Sequence, residues 1–301
     1  MRRETRRVGP SRAGRLSRCV AVALCAALAG CGDDGPATPS GCARPTDAGG
    51  EQSAVMTSLL FERGDTTARV SRGFDLDGVV STGQDVASCF RQDYTDPDGR
   101  RGVDNQAATL FRIIDGATNN ALDPLLQGAI NNGQVLLGLT FEGLDDWRDD
   151  ACVSVTFRRL TGSPRVGSDM RIVRGMTFDA IPGEIAGHAV GAVRDGVFEA
   201  GPFELVLPIA VLDARFIINL HGTRVRLSLS EEGNVEGLVG GGIVADESAR
   251  IASGLGLPES ARALAGDTVR RNTDLAPDAE GACTQISGAF TFLARPAFIN
   301  H

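Results

Sequence analysis

The chain has 301 residues, with 30 Lys or Arg side chains against 38 Asp or Glu, and a net charge of −8. All 30 basic residues are arginines, and this excludes chemistry that needs a lysine, such as a Schiff base or a P-loop. The acidic balance also disfavours nucleic acid as a partner, because proteins bind its phosphates through basic side chains.

The first 30 residues have the layout of an export signal. Seven arginines and a single acid, Glu4, precede an apolar run from Cys19 to Gly30. That run has 12 residues, whereas a helix needs about 20 to cross a bilayer. The pattern therefore predicts a signal peptide that is removed. From residue 31 onward, 23 basic and 37 acidic side chains remain, a net charge of −14.

The end of this signal reads Leu28-Ala29-Gly30-Cys31 and resembles the lipobox of bacterial lipoproteins. The resemblance implies that the Cys31 thiol receives a diacylglyceryl group, that the chain is cut before Cys31, and that the new amine is acylated. Several acyl chains give stable membrane attachment, whereas one alone binds marginally. Gly32 stands where Asp favours inner-membrane retention in that family, so the resemblance favours the outer membrane. The alternative is an ordinary secretory signal that ends in cysteine.

Composition divides the rest of the chain into two parts. Residues 31–50 are rich in Gly, Pro and Asp and poor in apolar side chains, which predicts a flexible tether. Residues 51–301 have the hydrophobic content of a globular protein and contain no second linker, which predicts a single domain.

Four cysteines remain when Cys31 is set aside: Cys42, Cys89, Cys152 and Cys283. Outside the cytoplasm an even set usually forms disulfides, and four cysteines allow three connectivities. Cys152 and Cys283 each follow an alanine and precede an alternating apolar run. We therefore predict that these two begin neighbouring strands and pair with each other, which leaves Cys42 with Cys89.

Alternating apolar residues predict a mainly β domain. The segments 135–141, 153–157 and 225–229 alternate apolar and other residues, as half-buried strands do. Turn residues at 194–196 and 230–234 predict hairpin connections. We expect an antiparallel β-sandwich with a few short helices.

Three segments carry helical signals. Asp123 followed by Pro124 predicts the start of a short helix, with Asp123 as its N-cap. A second helix is predicted at 105–114, capped by Asp104. Between about 246 and 271 the apolar spacing is helical, which predicts a helical insertion before the final strand.

Residues 75–104 hold an unusual concentration of carboxylates. Seven aspartates are candidate metal ligands there: Asp75, Asp77, Asp85, Asp93, Asp96, Asp98 and Asp104. Carboxylates at alternate positions followed by glycine can surround calcium, which takes six to eight oxygen ligands in a flexible geometry. A second acidic loop holds Asp274, Asp278 and Glu280, and would add oxygens if it lay beside the first.

Two Asp-x-Asp-Gly sequences, at 75–78 and 96–99, resemble the calcium-binding loops of thrombospondin type 3 repeats. The spacing is longer than in that family, and tandem copies are absent, so the resemblance implies calcium binding and no further function. The alternative is turn chemistry, in which Asp75 and Asp98 bond to their own backbone and Asp104 caps a helix.

Catalytic signals are sparse. His188 lies in no metal-binding or nucleophile motif. Carboxylate pairs for a glycosidase-like reaction are available as Glu142 with Asp145 or Asp146, and as Glu184 with Glu199. We expect a lipid-anchored envelope protein that is calcium-stabilised and has a non-catalytic binding or structural role toward an envelope protein or surface ligand. The alternative is an extracytoplasmic hydrolase that uses a carboxylate pair or His188.

Overall fold

The computed structural model describes residue 42 and residues 51–211, 214–254 and 256–301. The predicted signal peptide, the lipobox with Cys31 and the tether apart from Cys42 lie outside these residues. The elements described below belong to one compact unit.

The described residues form eleven strands and four helices. The strands are β1 (Gln52–Phe61), β2 (Tyr94–Thr95), β3 (Arg101–Val103), β4 (Leu137–Glu142), β5 (Asp150–Thr161), β6 (Met176–Arg194), β7 (Val197–Val211), β8 (Ala214–Leu229), β9 (Val235–Val244), β10 (Leu275–Pro277) and β11 (Cys283–Asn300). The helices are α1 (Ala108–Thr118), α2 (Leu122–Asn131), α3 (Ala245–Gly254) and α4 (Glu259–Arg271).

Eight of the strands close into a β-barrel. Strands β4 to β9 form an antiparallel meander, and β11 returns beside β9. β1 closes the ring because it pairs with β4 on one side and β11 on the other, so that Ala54 lies opposite both Leu139 and Pro296. The predicted sandwich is therefore wrong. Alternating residues mark strands with one buried face, and a barrel and a sandwich both bury one face of each strand.

The helices cover one end of the barrel. α2 lies against both β1 and β7, which stand on opposite sides of the ring. Leu126 and Ile130 of α2 are fully buried in the core. α3 and α4 occupy the segment for which the apolar spacing predicts helices, and α4 packs on α1. None of the helices in the described residues is long and apolar enough to span a membrane.

The helix starts differ from the predicted ones. Ala121 is the N-cap of α2, and Asp123 lies in the first turn, where its carboxylate pairs with Arg63 at 3.0 Å. Ala107 is the N-cap of α1, so Asp104 does not cap this helix. In both cases an acidic residue near a helix start serves a tertiary contact, which local sequence rules do not anticipate.

Two disulfides form, as the even cysteine count predicts, but the predicted connectivity is wrong. Cys42 pairs with Cys152, and Cys89 pairs with Cys283, with Cα–Cα distances of 5.3 and 6.0 Å. Cys152 lies near the start of β5 and Cys283 begins β11, and these strands are not neighbours in the ring. The shared local pattern therefore marks two strand starts and not a pair.

Candidate metal centre

An excursion between β1 and α1 carries the acidic segment along the outside of the barrel. Phe74 anchors it by packing with Leu238 of β9 and Ala289 of β11. Gly240 makes this contact possible, because a Cβ there would lie 2.8 Å from the Phe74 ring. Phe74 also forms a β-bridge with Asp104, which fixes the two ends of the acidic segment together.

The end of the excursion pairs with β11 just beyond the point where the pairing of β1 with β11 ends. The Ala107 amide donates to the Ser287 carbonyl oxygen at 2.8 Å. The Asn105 side chain accepts from the Ala289 amide and donates to the Glu62 carbonyl oxygen. Asp104 therefore precedes a stretch of backbone that is held firmly to the barrel wall.

Three carboxylates converge beside this edge. Asp75, Asp77 and Asp104 each offer an oxygen, and these oxygens all lie within 4.8 Å of one another. Calcium–oxygen distances are about 2.3–2.6 Å, so two ligands of one calcium ion can be separated by up to about 5 Å. The three side chains fit a single ion.

One carboxylate oxygen of Asp104 is buried and has no hydrogen-bond partner in the described part of the chain. The residue is 1% exposed, and its Oδ2 accepts a hydrogen bond from the Leu76 amide at 2.7 Å. Its Oδ1 is the buried oxygen that has no hydrogen-bond partner among the residues that the structure describes. Leaving such an atom without a partner costs free energy that a bound cation would recover.

Asp93 and Asp274 lie close enough to these carboxylates for their charges to interact, and we call the five residues the acidic cluster. Asp93 is buried and accepts from the Ser81 amide through Oδ2, and its Oδ1 has no partner within the described part of the chain. Asp274 is buried against β11, where both its oxygens accept hydrogen bonds from Ser287.

Burial and mutual repulsion raise the pKa values of the cluster. Burial, followed by the charges of Asp274 and Asp77, raises the pKa of Asp104 well above its ordinary value. Burial, with smaller contributions from neighbouring aspartates, raises the pKa of Asp93 and of Asp274 to about 7. The nearby arginines offset little of this: Arg224 lowers the pKa of Asp75, and burial outweighs it. Like charges held this close favour a bound cation.

A glycine shapes the space at Asp75. Gly102 in β3 has a φ of +82°, and a Cβ there would lie 3.2 Å from Oδ2 of Asp75 and 3.1 Å from Val80. Both the left-handed backbone and the close approach of the carboxylate therefore favour glycine at this position.

Comparison with known protein families, curated proteins and solved structures found no match.

The structure brings together four of the seven predicted aspartates: Asp75, Asp77, Asp93 and Asp104. The remaining three lie outside the cluster. Asp85 accepts from the Thr82 amide, and Asp98 is exposed in a turn where its amide donates to Asp96. Asp96 is buried, but it pairs with Arg100 at 3.7 Å and lines a separate surface groove.

The second acidic loop joins the cluster through one residue. Asp274 is in the cluster, whereas Asp278 and Glu280 are exposed. Turn chemistry is present as well, since Oδ1 of Asp75 accepts from the Gly78 amide at 2.7 Å. Ser88 and Ser287, which position Asp77 and Asp274, carry no signal in the sequence that would have identified them.

The candidate catalytic residues lie apart from the cluster. His188 is exposed and its Nδ1 lies 3.1 Å from the hydroxyl of Thr156. Glu184 pairs with Arg159, and Glu199 pairs with Arg226. The remaining candidates, Glu142, Asp145 and Asp146, are exposed.

An apolar cavity lies between the barrel and its helices. It measures about 50 Å³ and is lined by side chains that include Phe61, Phe111 and Phe216. Pockets for small organic ligands are usually about 300–1,000 Å³, so this cavity is too small to be one.

Proposed function

We propose that this chain is a lipid-anchored protein of the cell envelope whose β-barrel domain binds one calcium ion at Asp75, Asp77 and Asp104. The main support for the proposal is Oδ1 of Asp104, which is buried and has no hydrogen-bond partner among the described residues. Carboxylate oxygens of Asp75, Asp77 and Asp104 lie no more than 4.8 Å from one another. The role is structural or binding rather than catalytic, and Gly32, which follows the lipidated Cys31, favours the outer membrane.

The two disulfides support a location outside the cytoplasm. They suit an oxidising space outside the cytoplasm, which is where the lipobox at 28–31 would deliver the chain. Such spaces also contain calcium at concentrations that weak sites can use, and extracellular modules bind it with Kd values of about 10⁻⁴–10⁻³ M.

Calcium suits the ligand set better than magnesium does. The ligands come from a loop and from the end of β3, and Asp77 already accepts hydrogen bonds from the Val79 amide and the Ser88 hydroxyl. Magnesium demands near-ideal octahedral geometry at about 2.0–2.1 Å, whereas calcium tolerates irregular and larger coordination.

The position of the cluster indicates what the ion does. The ligand-bearing excursion is attached to the barrel at Phe74 and along the β11 edge, and the carboxylates lie between these attachments. An ion there neutralises their repulsion and holds the excursion in one conformation. The resulting rigid surface is available to an envelope protein or surface ligand.

Calorimetric titration tests the proposal. The oxidised domain, residues 32–301, is titrated with calcium and separately with magnesium. We expect one calcium ion per chain, with weaker binding of magnesium. Asp77→Asn should lose calcium binding, and Asp98→Asn, which changes an exposed aspartate of the same segment, should retain it. Absence of calcium binding to the unmodified domain, or equal loss in both variants, would contradict the proposal.

A further inference from the structure

The Cys89–Cys283 disulfide reaches the acidic cluster through a single neighbouring residue. Cys283 begins β11 and pairs with Pro277 of β10, so it belongs to the barrel frame. Cys89 lies 194 residues earlier, in a loop whose ends meet at the Thr82–Gln92 bridge. The disulfide therefore fixes the tip of this loop to the barrel.

Ser88 converts this attachment into a contact with a proposed ligand. It is fully buried and adjacent to Cys89, and its hydroxyl donates to Oδ2 of Asp77 at 2.6 Å. The path from the barrel to the ligand thus runs from Cys283 through Cys89 and Ser88 to Asp77.

Apart from the Ser88 contact, few interactions among the described residues hold the loop tip in place. Cys89 and Phe90 adopt left-handed backbone with φ of 46° and 60°, which is unfavourable for residues other than glycine. Phe90 and Val86 are 59% and 65% exposed, so these two side chains contribute little packing that would hold the tip on the barrel.

We propose that the Cys89–Cys283 disulfide controls the calcium affinity of the site, with Ser88 as the residue that positions Asp77. This inference rests on the proposed calcium site and adds its regulation. With the disulfide formed, Asp77 is held in place before the ion arrives, and less ordering is needed on binding. With two thiols in its place, the loop tip is free and binding must order it.

Formation of the bond removes two electrons and two protons from the thiols of Cys89 and Cys283. A protein or small-molecule disulfide accepts them and is reduced to two thiols, through a mixed disulfide. Both cysteines are partly exposed, so such a reagent can reach them. The proposed order is oxidation first and calcium binding second.

The test compares calcium titrations of matched variants of the oxidised domain, residues 32–301. Cys89→Ser with Cys283→Ser should raise the calcium Kd about tenfold, the scale expected when one hydrogen-bonded ligand loses its positioning. The control pair, Cys42→Ser with Cys152→Ser, removes the other disulfide and should change Kd less than about twofold.

Ser88→Ala tests the path while it leaves both disulfides intact, and should also raise Kd about tenfold. If the disulfide acts through Ser88, combining all three substitutions gives about tenfold rather than about a hundredfold, because the same contact is lost only once. If Ser88 and the disulfide each stabilised the site independently, their effects on the calcium Kd would multiply to about a hundredfold.

Each outcome decides the matter. Unchanged affinity in the Cys89/Cys283 variant, equal losses in the control pair, or a hundredfold loss in the combined variant would overturn the proposal. If the Cys89/Cys283 variant does not fold, Ser88→Ala decides alone, and unchanged affinity there would overturn it. Failure of the unmodified domain to bind calcium would instead remove the proposed function itself.

Discussion

Asp104→Asn is expected to change the stability of the domain in opposite directions with and without calcium. Asparagine keeps the acceptor that the Leu76 amide uses, so this hydrogen bond at 2.7 Å is retained. What is lost is the buried charge, which repels Asp274 and Asp77 when no ion is bound and coordinates the ion when one is present.

The magnitudes follow from the two states. In a chelator, removal of this buried like charge should stabilise the variant by about 1–2 kcal/mol, the scale on which a buried group without a partner costs stability. In calcium at 100 times its Kd, the unmodified domain gains about 2.7 kcal/mol that the variant forfeits. For a domain of this size 1 kcal/mol shifts Tm by roughly 2–4 °C.

Thermal unfolding followed by circular dichroism measures both effects. The Tm of the variant should exceed that of the unmodified domain by several degrees in chelator and fall below it in calcium. Asp98→Asn serves as the control and should match the unmodified domain under both conditions. Equal destabilisation of the Asp104 variant with and without calcium would show that Asp104 is a structural hydrogen-bonding residue only and not a calcium ligand.

Three further predictions address the pH dependence, the backbone of the site and the covalent structure. In chelator, the domain should become more stable as the pH falls from 8 to 5.5. The pKa values of Asp93 and Asp274 are raised to about 7 in the folded state, so protonation over this range favours folding. A Tm that falls as the pH is lowered would contradict this prediction. Gly102→Ala should weaken calcium binding in a titration, since the added Cβ strains a backbone with φ of +82° and meets Asp75. Gly99→Ala has a similar φ of +89° but no neighbour within 4 Å, so it should bind calcium normally and controls for backbone strain. Mass spectrometry of the protein from membranes should show a diacylglyceryl Cys31 at the N-terminus and disulfides joining Cys42 to Cys152 and Cys89 to Cys283; an intact first 30 residues would contradict the anchor.

The sequence indicates most strands but not how the sheet closes. Val153, Val155 and Phe157 alternate and are fully buried in β5, although Ser154 and Thr156 between them are buried as well. β1 is nearly continuously buried, and its segment has no alternation that would mark it as a strand. Its partners are more than 80 residues away in β4 and more than 220 away in β11. Closure depends on these long-range pairings, which local patterns do not encode.

The sequence predicts a clustering of carboxylates in this segment, but not which residues take part in it. The density of aspartates between 75 and 104 indicates a cation site, and Asp75 and Asp77 are both in the cluster. Asp98 has the same local Asp-Gly sequence but is exposed in a turn. Asp274 enters from a distant part of the chain, through the pairing of β10 with β11. Local composition cannot separate these cases, since burial and tertiary contacts decide them.

Anomalous diffraction from crystals of residues 32–301 grown with calcium would locate the ion itself. We expect one calcium peak about 2.3–2.6 Å from oxygens of Asp75, Asp77 and Asp104, with Oδ1 of Asp104 among the ligands. A map without a peak among these carboxylates, at calcium concentrations that saturate the protein in solution, would contradict it.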